Sequence, residues 1–249
     1  MKAVRIHAFG NESALTFDEI PVPAIGDQDV LIRVVAASVN PVDWKIREGH
    51  LRDIIPHRLP LTLAGITAWE AIINVGQVSA GQSVLIHAAA GGVGSLAVQL
   101  AKWRGAEVIA TASAQNADLV TFLGADEVID YRKESFAEKA RGLDLVFDTV
   151  GGQVQHDSWA TLKPGGMLVS VVDPPPEATA LSMGLRSAFV FVQPSALILD
   201  QLAGLVDTGQ VRPVIGASRL PISSPTDLMP FAARYSATPT LIFLQANGS

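Results

Sequence analysis

The sequence predicts an α/β protein, with a doubly wound parallel sheet and a second, smaller β-rich lobe. Three observations predict this class. From residue 83 onward, short apolar runs of strand character alternate with helical segments. A glycine-rich turn follows the first of these runs. Residues 1–63 instead carry strand-like runs separated by Pro21, Pro23 and Gly26. Apolar strands that alternate with helices form a parallel sheet covered on both faces.

The alternating region justifies the sheet element by element. Apolar, β-branched runs predict strands at 83–88, 107–111, 127–131, 143–150, 167–172 and 188–192. Helical periodicity between them predicts helices at 93–102, 117–125, 135–142, 153–162 and 196–209. We therefore predict a sheet domain at 64–215, a β lobe at 1–63 and a C-terminal segment at 216–249 that returns to the lobe.

The composition excludes several classes of function. The chain has 249 residues, of which 49% are hydrophobic and 17% charged, and its net charge is -6, which argues against nucleic acid or an anionic membrane as a partner. It has no cysteine, so disulfides, thiolate chemistry and a cysteine-ligated zinc are excluded. The five histidines are scattered, so no metal is expected. The N-terminus, MKAVRIHAFG, lacks the apolar segment of a signal peptide, and we expect a cytoplasmic location.

The turn at 89–94 reads AAGGVG and lies between a predicted strand and a predicted helix. A strand, a glycine turn and a helix form the phosphate-binding unit of dinucleotide folds, whose fingerprint GxGxxG here has alanine in the first position. Gly91 lets the backbone approach a diphosphate, and Gly94 lets the helix pack close to the strand. The amides of the first helical turn face the anion. The motif predicts a Rossmann-type site formed by Ala90, Gly91, Gly92, Val93 and Gly94.

The end of the second strand distinguishes between the two nicotinamide cofactors. An NAD site places Asp or Glu there, about 20 residues after the glycines, but TASAQN (111–116) contains no acid. A carboxylate about 4 Å from a phosphate would cost up to ~4 kcal/mol at an effective dielectric of 20, so its absence permits a 2′-phosphate. Ser113 can donate to that phosphate, and Tyr131, Arg132 and Lys133 can reach the same corner. The alternative is that these are ordinary polar residues at strand ends; together they favour NADP(H).

Six segments, taken in order, carry a resemblance to a known family. They are SVNPVDWKIREG (38–49), AGITAWEAI (64–72), VLIHAAAGGVGSLAVQLAK (84–102), LGADEVIDY (123–131), VFDTVGG (146–152) and LKPGGMLVSV (162–171). The chain resembles the zinc-free, quinone-oxidoreductase-like branch of the medium-chain dehydrogenase/reductase superfamily, which is zinc-type alcohol dehydrogenase-like in fold. The resemblance implies a GroES-like β lobe beside a Rossmann domain. It also implies NADPH-dependent reduction of a small molecule, either a quinone or an α,β-unsaturated carbonyl.

The resemblance implies catalytic positions in the lobe and near the nicotinamide. Asn40 and Asp43 are expected to line the active-site cleft, and Thr67 to lie near the nicotinamide. Lys45 stands where relatives have a tyrosine, and it is the first candidate to stabilise charge on the substrate carbonyl oxygen. Two alternatives remain: Asn40 with Pro41 also suits an Asx turn, and Lys45 also suits a solvated surface charge.

The resemblance implies further positions around the cofactor and between subunits. Ser113 and Tyr131 are expected to meet the 2′-phosphate, with Arg132 beside them. Val150 and Val171 are expected to flank the adenosine or the nicotinamide at the strand ends. The strand predicted at 188–192 is expected to pair with its copy in a homodimer.

The chain departs from the family pattern in its lobe and its tail. LPLTL (59–63) runs directly into AGITAW (64–69), so on the order of 60 residues of an expected ~120-residue lobe are absent. Pro239 and Thr240 stand where a Gly-Lys pair is expected. We therefore expect nucleotide binding to survive better than catalysis. The alternative to an active enzyme is a nucleotide-binding, catalytically impaired, shortened relative.

Two other classes are excluded by single features. A short-chain dehydrogenase needs Tyr-x-x-x-Lys, but Tyr131 and Tyr235 are followed four residues later by Ser135 and Pro239. A methyltransferase would place an acid at the end of the second strand, where this chain has none.

Overall fold

The computed structural model describes most of the chain, in six stretches: 2–22, 37–39, 48, 63–193, 195–214 and 240–242. These residues belong to two compact units. The first comprises the described parts of 1–61 and 214–249, and the second comprises 62–213. No helix in the described stretches is long and apolar enough to cross a membrane.

The first unit contains two antiparallel strand pairs among its described residues. Strand β1 (Lys2–Ile6) pairs with β2 (Leu15–Glu19), after a short 3-10 turn at Glu12–Ala14. Strand β3 (Ala37–Val39) pairs with β10 (Thr240–Ile242), so the C-terminal segment is hydrogen-bonded to the N-terminal segment.

The second unit is built on a parallel sheet. Six strands form it within the described residues: β4 (Ser83–Ile86), β5 (Glu107–Ala112), β6 (Glu127–Asp130), β7 (Leu143–Asp148), β8 (Leu162–Ser170) and β9 (Arg186–Phe189). Their order across the sheet is β6-β5-β4-β7-β8-β9, and every neighbouring pair is parallel. The strand order reverses between β4 and β7, which is the switch point where doubly wound folds bind ligands. The predicted doubly wound parallel sheet is confirmed.

Helices connect and flank these strands. They are α1 (Leu63–Trp69), continued by a π-helical turn at Glu70–Val75, α2 (Gly92–Trp103), α3 (Ala117–Phe122), α4 (Phe136–Lys139), α5 (Gly152–Ser158), α6 (Glu177–Ser182) and α7 (Ala196–Asp207). Helix α2 packs against α1. The central strand is buried on both faces, because Val84, Leu85 and Ile86 are each fully inaccessible to solvent.

Several elements differ from the sequence prediction, among them two strands and one helix. Strand β8 begins at Leu162 rather than 167, and its pairing with β7 shifts register between Leu143 and Leu145. Strand β9 spans 186–189 rather than 188–192, although the Val190 amide still donates to the Ser170 carbonyl at 2.9 Å. Helix α6 was not predicted, because it is short and follows a run of prolines that indicates a loop.

Candidate functional site

The turn between β4 and α2 presents backbone amides at the carboxyl edge of the sheet. Ala88 has a positive φ of 47°, and the Gly91 amide donates to the Ala88 carbonyl at 2.9 Å. Gly91 caps α2 in an extended conformation without a side-chain hydrogen bond. The first helical bond runs from the Ser95 amide to the Gly91 carbonyl at 2.8 Å. The amides of residues 92–94 therefore have no partner within the helix. They lie at the N-terminus of α2, which is the end of a helix that stabilises an anion.

Gly94 is where the helix approaches the turn most closely. A Cβ built at this position would lie 2.4 Å from the Ala88 carbonyl oxygen and 2.8 Å from the Ala89 Cα. Both neighbours are backbone atoms, so neither can rotate away. Any side chain here would push α2 away from the turn. The turn and the helix thus form a main-chain cradle whose amides fit a diphosphate.

A buried histidine lies directly behind this cradle. The His87 ring contacts the Thr111 hydroxyl through Nδ1 at 3.1 Å and the Ser158 hydroxyl through Nε2 at 3.0 Å. Burial lowers the pKa of His87 from 6.5 to about 4, and the Asp148 carboxylate opposes this shift to a smaller extent. The ring is therefore neutral at pH 7 and joins β4 to β5 and α5. The sequence analysis listed His87 but gave it no role.

Asp148, at the end of β7, organises the loop beside the cradle. Its carboxylate is fully buried. Oδ1 accepts hydrogen bonds from the amides of Val150 at 2.9 Å and Gly151 at 2.8 Å, while Oδ2 accepts from Gln155 Nε2 at 3.0 Å and Ser170 Oγ at 2.9 Å. These bonds fix the backbone of the loop that carries Val150. The sequence analysis missed Asp148, although an acid directly after the apolar run LVF (145–147) was the available signal.

The loop after β7 and the cradle are joined directly. The Thr149 hydroxyl donates to the His87 carbonyl at 2.8 Å, and the His87 amide donates to the Phe147 carbonyl at 3.1 Å. The two loops therefore hold each other in place at the switch point.

A cavity of about 300 Å³ opens between the carboxyl ends of β5 and β6. Small side chains, those of Ala112 and Ala117 among them, leave this space. Ser113, Asp130, Lys133 and Glu134 are its polar lining. Ser113 is only 5% exposed, and its hydroxyl accepts a hydrogen bond from Asn116 Nδ2 at 3.2 Å.

The structure brings most of the predicted cofactor residues to one edge of the sheet. Ala90 to Gly94 follow β4, Ser113 follows β5, Tyr131 and Arg132 follow β6, Val150 follows β7, and Val171 follows β8. Tyr131 is 54% exposed, and the Arg132 guanidinium lies 5.7 Å from the centroid of its ring. Both residues adjoin the cavity without lining it.

The predicted catalytic residues fall into two groups. Thr67 is buried in α1. Asn40, Asp43 and Lys45 lie outside the described residues. In the part of the chain that the structure describes, no three side chains of metal-binding type come together.

The sequence analysis gave Asp130 no role because it looked for an acid only at the end of the second strand. That strand ends without an acid, as expected, but its neighbour β6 ends in Asp130, whose side chain borders the same cavity as Ser113. The cavity therefore contains a carboxylate supplied by the adjacent strand.

Two family models together match most of the chain. The one described as alcohol dehydrogenase GroES-like domain matches residues 26–122, and the one described as zinc-binding dehydrogenase matches residues 123–227. A solved structure of the quinone oxidoreductase from Coxiella burnetii is 27% identical and superposes with a TM-score of 0.83, covering 98% of this chain and 99% of that one.

Two curated relatives carry oxidoreductase names. The chain is 34% identical over 220 residues to the mitochondrial NAD(P)H oxidoreductase RTN4IP1 of Danio rerio, with 76% of this chain and 56% of that protein covered. It is 29% identical over 290 aligned positions to the chloroplastic NADPH-dependent alkenal/one oxidoreductase of Arabidopsis thaliana, with 86% of this chain and 72% of that protein covered. The chain thus spans little more than half the length of the first relative. The second alignment is longer than the 249-residue chain itself, so the Arabidopsis protein has residues without counterparts here.

Proposed function

Because the chain belongs to the zinc-free, quinone-oxidoreductase-like branch of the medium-chain dehydrogenase/reductase superfamily, we propose that it is an NADPH-dependent oxidoreductase. Its substrate would be a small quinone or α,β-unsaturated carbonyl. The observation that carries this proposal is the main-chain cradle at the start of α2, located at the switch point of the sheet. The names of the relatives in Danio and Arabidopsis support the same class of reaction.

The residues present fit a dinucleotide. The amides of Gly92, Val93 and Gly94 would hold the diphosphate, because nothing within the helix pairs with them. The cavity beyond β5 would hold the 2′-phosphate of the adenosine ribose, with Ser113 as hydroxyl donor and Lys133 as cation. Tyr131 and Arg132 lie at the rim of this region.

Each part of the site would have its own role in the reaction. When bound, the reduced nicotinamide supplies the hydride that the substrate accepts. Val150 and Val171 would flank the nucleotide, and Asp148 would keep the Val150 loop in place through its hydrogen bonds to the loop amides. Thr67 would lie near the nicotinamide. Lys45 and Asn40 would stabilise negative charge on the substrate carbonyl oxygen, with Asp43 beside them.

The edge of the sheet supports a homodimer as part of this proposal. Strand β9 pairs with β8 alone among the described strands, so its outer backbone groups face away from the sheet. Phe189 is 40% exposed and Phe191 is 55% exposed along this segment. Unpaired edges with exposed aromatic residues are the places where chains associate. We propose that residues 188–192 pair with the same segment of a second copy. The cytoplasmic location stays a prediction.

A second candidate function is nucleotide binding without turnover. The length of the alignment to the Arabidopsis relative favours this second candidate. The alignment shows that the relative contains residues that this chain lacks. If the missing residues belong to the β lobe, the substrate pocket is open to water, and electrostatic stabilisation of the developing charge is weaker.

One experiment separates the two candidates. NADPH and NADH are titrated into the purified chain and binding is followed by nucleotide fluorescence. NADPH absorbance is then followed with 1,4-benzoquinone and with a short enone. Binding with turnover supports the oxidoreductase, and binding without turnover supports the shortened relative. If neither NADPH nor NADH binds, both candidate functions are wrong.

A further inference from the structure

A row of hydrogen bonds runs through the buried ring of His87 and ends at the main-chain cradle. The Ala88 amide donates to the Thr111 hydroxyl oxygen at 3.2 Å, and the same hydroxyl contacts His87 Nδ1 at 3.1 Å. On the other side of the ring, His87 Nε2 contacts the Ser158 hydroxyl at 3.0 Å, and this hydroxyl donates to the Val154 carbonyl at 2.6 Å. The three side chains of the row are buried, so their polar groups must satisfy one another.

The Ser158 hydroxyl determines the direction of every bond in this row. A carbonyl oxygen can only accept, so the single hydroxyl proton of Ser158 lies between its oxygen and the Val154 carbonyl. His87 Nε2 is then the donor to Ser158 Oγ, and it carries the ring proton. Because burial keeps the ring neutral, with a pKa of about 4, Nδ1 has no proton and accepts that of Thr111. The Thr111 oxygen thus presents its lone pairs to the Ala88 amide.

Ala88 is the residue whose conformation shapes the turn. Its φ of 47° lies in the left-handed region, which alanine adopts only when the surrounding contacts require it. Hydrogen bonds on both sides of the residue hold it there, because its amide donates to Thr111 Oγ1 and its carbonyl accepts from the Gly91 amide at 2.9 Å. A Cβ built at Gly94 would lie 2.4 Å from the same carbonyl oxygen, so α2 begins directly against it. A change in the backbone of Ala88 therefore moves the amides at the start of α2.

We propose that His87 and Thr111 are positioning residues for nucleotide binding, an inference that rests on the proposed function. The Nε2–H form of the His87 ring orients the Thr111 hydroxyl, and the Thr111 oxygen holds Ala88 in the conformation that the cradle needs. Neither side chain has to touch the nucleotide. A His87 ring with its proton on Nδ1 would instead donate to Thr111, whose own proton would then need another acceptor. Within the described residues, no other acceptor is bonded to this hydroxyl.

The first test compares three threonine variants of the full chain by fluorescence titration with NADPH. Thr111→Val keeps the shape of the side chain but removes the acceptor of the Ala88 amide, and the Kd is expected to rise about five- to tenfold. Thr111→Ser keeps the hydroxyl, and its Kd should stay within about twofold of that of the unaltered chain. Thr161→Val is the matched control, because Thr161 is also buried and its hydroxyl donates to the Ser158 carbonyl at 2.7 Å, away from the cradle. We expect Thr161→Val to lower the Tm about as much as Thr111→Val does, and to leave the Kd within about twofold.

The second test measures the position of the His87 proton in the unaltered chain, so it does not depend on the folding of a variant. Long-range ¹H–¹⁵N NMR spectra at pH 7 distinguish a ring nitrogen that carries a proton from one that does not. The chain has five histidines. His87 is identified among them by its contact with the Phe136 ring, whose centroid lies 4.6 Å away. The expected result is a neutral ring with its proton on Nε2.

The outcomes separate this inference from the proposed function. If the unaltered chain binds NADPH and Thr111→Val binds it equally well, or Thr161→Val weakens binding as much, the inference is wrong and the proposed function stands. A His87 proton on Nδ1 overturns the inference in the same way. If the unaltered chain binds neither NADPH nor NADH, both are wrong. Should circular dichroism show that Thr111→Val is unfolded, Ser158→Ala is measured in its place. This variant removes the group that fixes the His87 proton on Nε2, so the Kd should rise at least about threefold, and an unchanged Kd overturns the inference.

Discussion

Replacing Gly94 by alanine tests the cradle on which the proposed nucleotide site depends. The added Cβ would lie 2.4 Å from the Ala88 carbonyl oxygen, whereas ordinary contact begins at 3.4 Å. Helix α2 must therefore retreat by about 1 Å, because packed backbone cannot yield otherwise. Overpacking of this kind costs about 3 kcal/mol, and the higher helix propensity of alanine returns about 1 kcal/mol. We expect a net destabilisation of about 2 kcal/mol, with a fall in Tm of about 4–8 °C.

The same displacement should weaken nucleotide binding. The amides of 92–94 move with the helix, and a misplacement of about 1 Å strongly reduces the contribution of a positioned group. We expect the Kd for NADPH to rise at least about tenfold. Urea unfolding measures the first effect and fluorescence titration measures the second.

Gly204→Ala provides the matched control. Gly204 lies inside α7, and a Cβ built there would meet nothing within 4 Å. This substitution is expected to stabilise the chain by about 0.5–1 kcal/mol and to leave nucleotide binding unchanged. If the two alanine variants have equal stability and equal affinity for NADPH, the close approach at Gly94 is not what shapes the cradle.

Three further predictions concern the buried network and the sheet edge. Burial lowers the pKa of His87 from 6.5 to about 4. Between pH 6.5 and pH 4 the imidazole is therefore protonated in the unfolded chain and neutral in the folded chain. The free energy of unfolding should therefore be highest above pH 6.5 and should decrease by about 3 kcal/mol as the pH falls to about 4, because protonation of His87 favours the unfolded chain. Urea unfolding across this pH range measures the decrease. Ser170→Ala removes a donor from the buried Asp148 carboxylate and should lower the free energy of unfolding by about 1–3 kcal/mol, measured by thermal denaturation. Phe191→Glu places a charge on the proposed dimer edge, so light scattering should find monomers where the unaltered chain forms dimers.

Each of these three predictions has a control or an outcome that would contradict it. His87→Gln should abolish the decrease between pH 6.5 and pH 4; an unchanged pH profile would show that another group titrates there. Ser182→Ala removes an exposed hydroxyl that donates to the Thr179 carbonyl, and its effect should stay within about 0.5 kcal/mol. Equal losses in both serine variants would contradict the role given to Asp148. A dimer that persists in Phe191→Glu would place the subunit interface elsewhere.

Local patterns predicted the framework of the second unit well. Alternating apolar runs and helical segments predicted the six parallel strands found in the described residues, because period and turn residues are properties of neighbouring positions. The AAGGVG turn likewise predicted an uncapped helix start after β4. The boundaries of β8 and β9 were less accurate, since the bulge at Leu143–Leu145 arises from pairing with another strand.

The residues missed by the sequence analysis are joined across long separations in the chain. His87 meets Thr111 and Ser158, which lie 24 and 71 residues away. Asp148 meets Ser170 across 22 residues. Asp130 borders the same cavity as Ser113 only because β6 lies beside β5 in the sheet. No periodicity or spacing in the sequence predicts these side-chain contacts.

The sequence by itself determined the class of fold, the glycine cradle and the family of the chain, because each depends on residues that act through their immediate neighbours. Only the tertiary structure decided which side chains share the carboxyl edge, since strand order brings distant residues together. It also gave His87 its low pKa, through burial. The same strand order placed a carboxylate, Asp130, in the cavity beside Ser113 and Lys133.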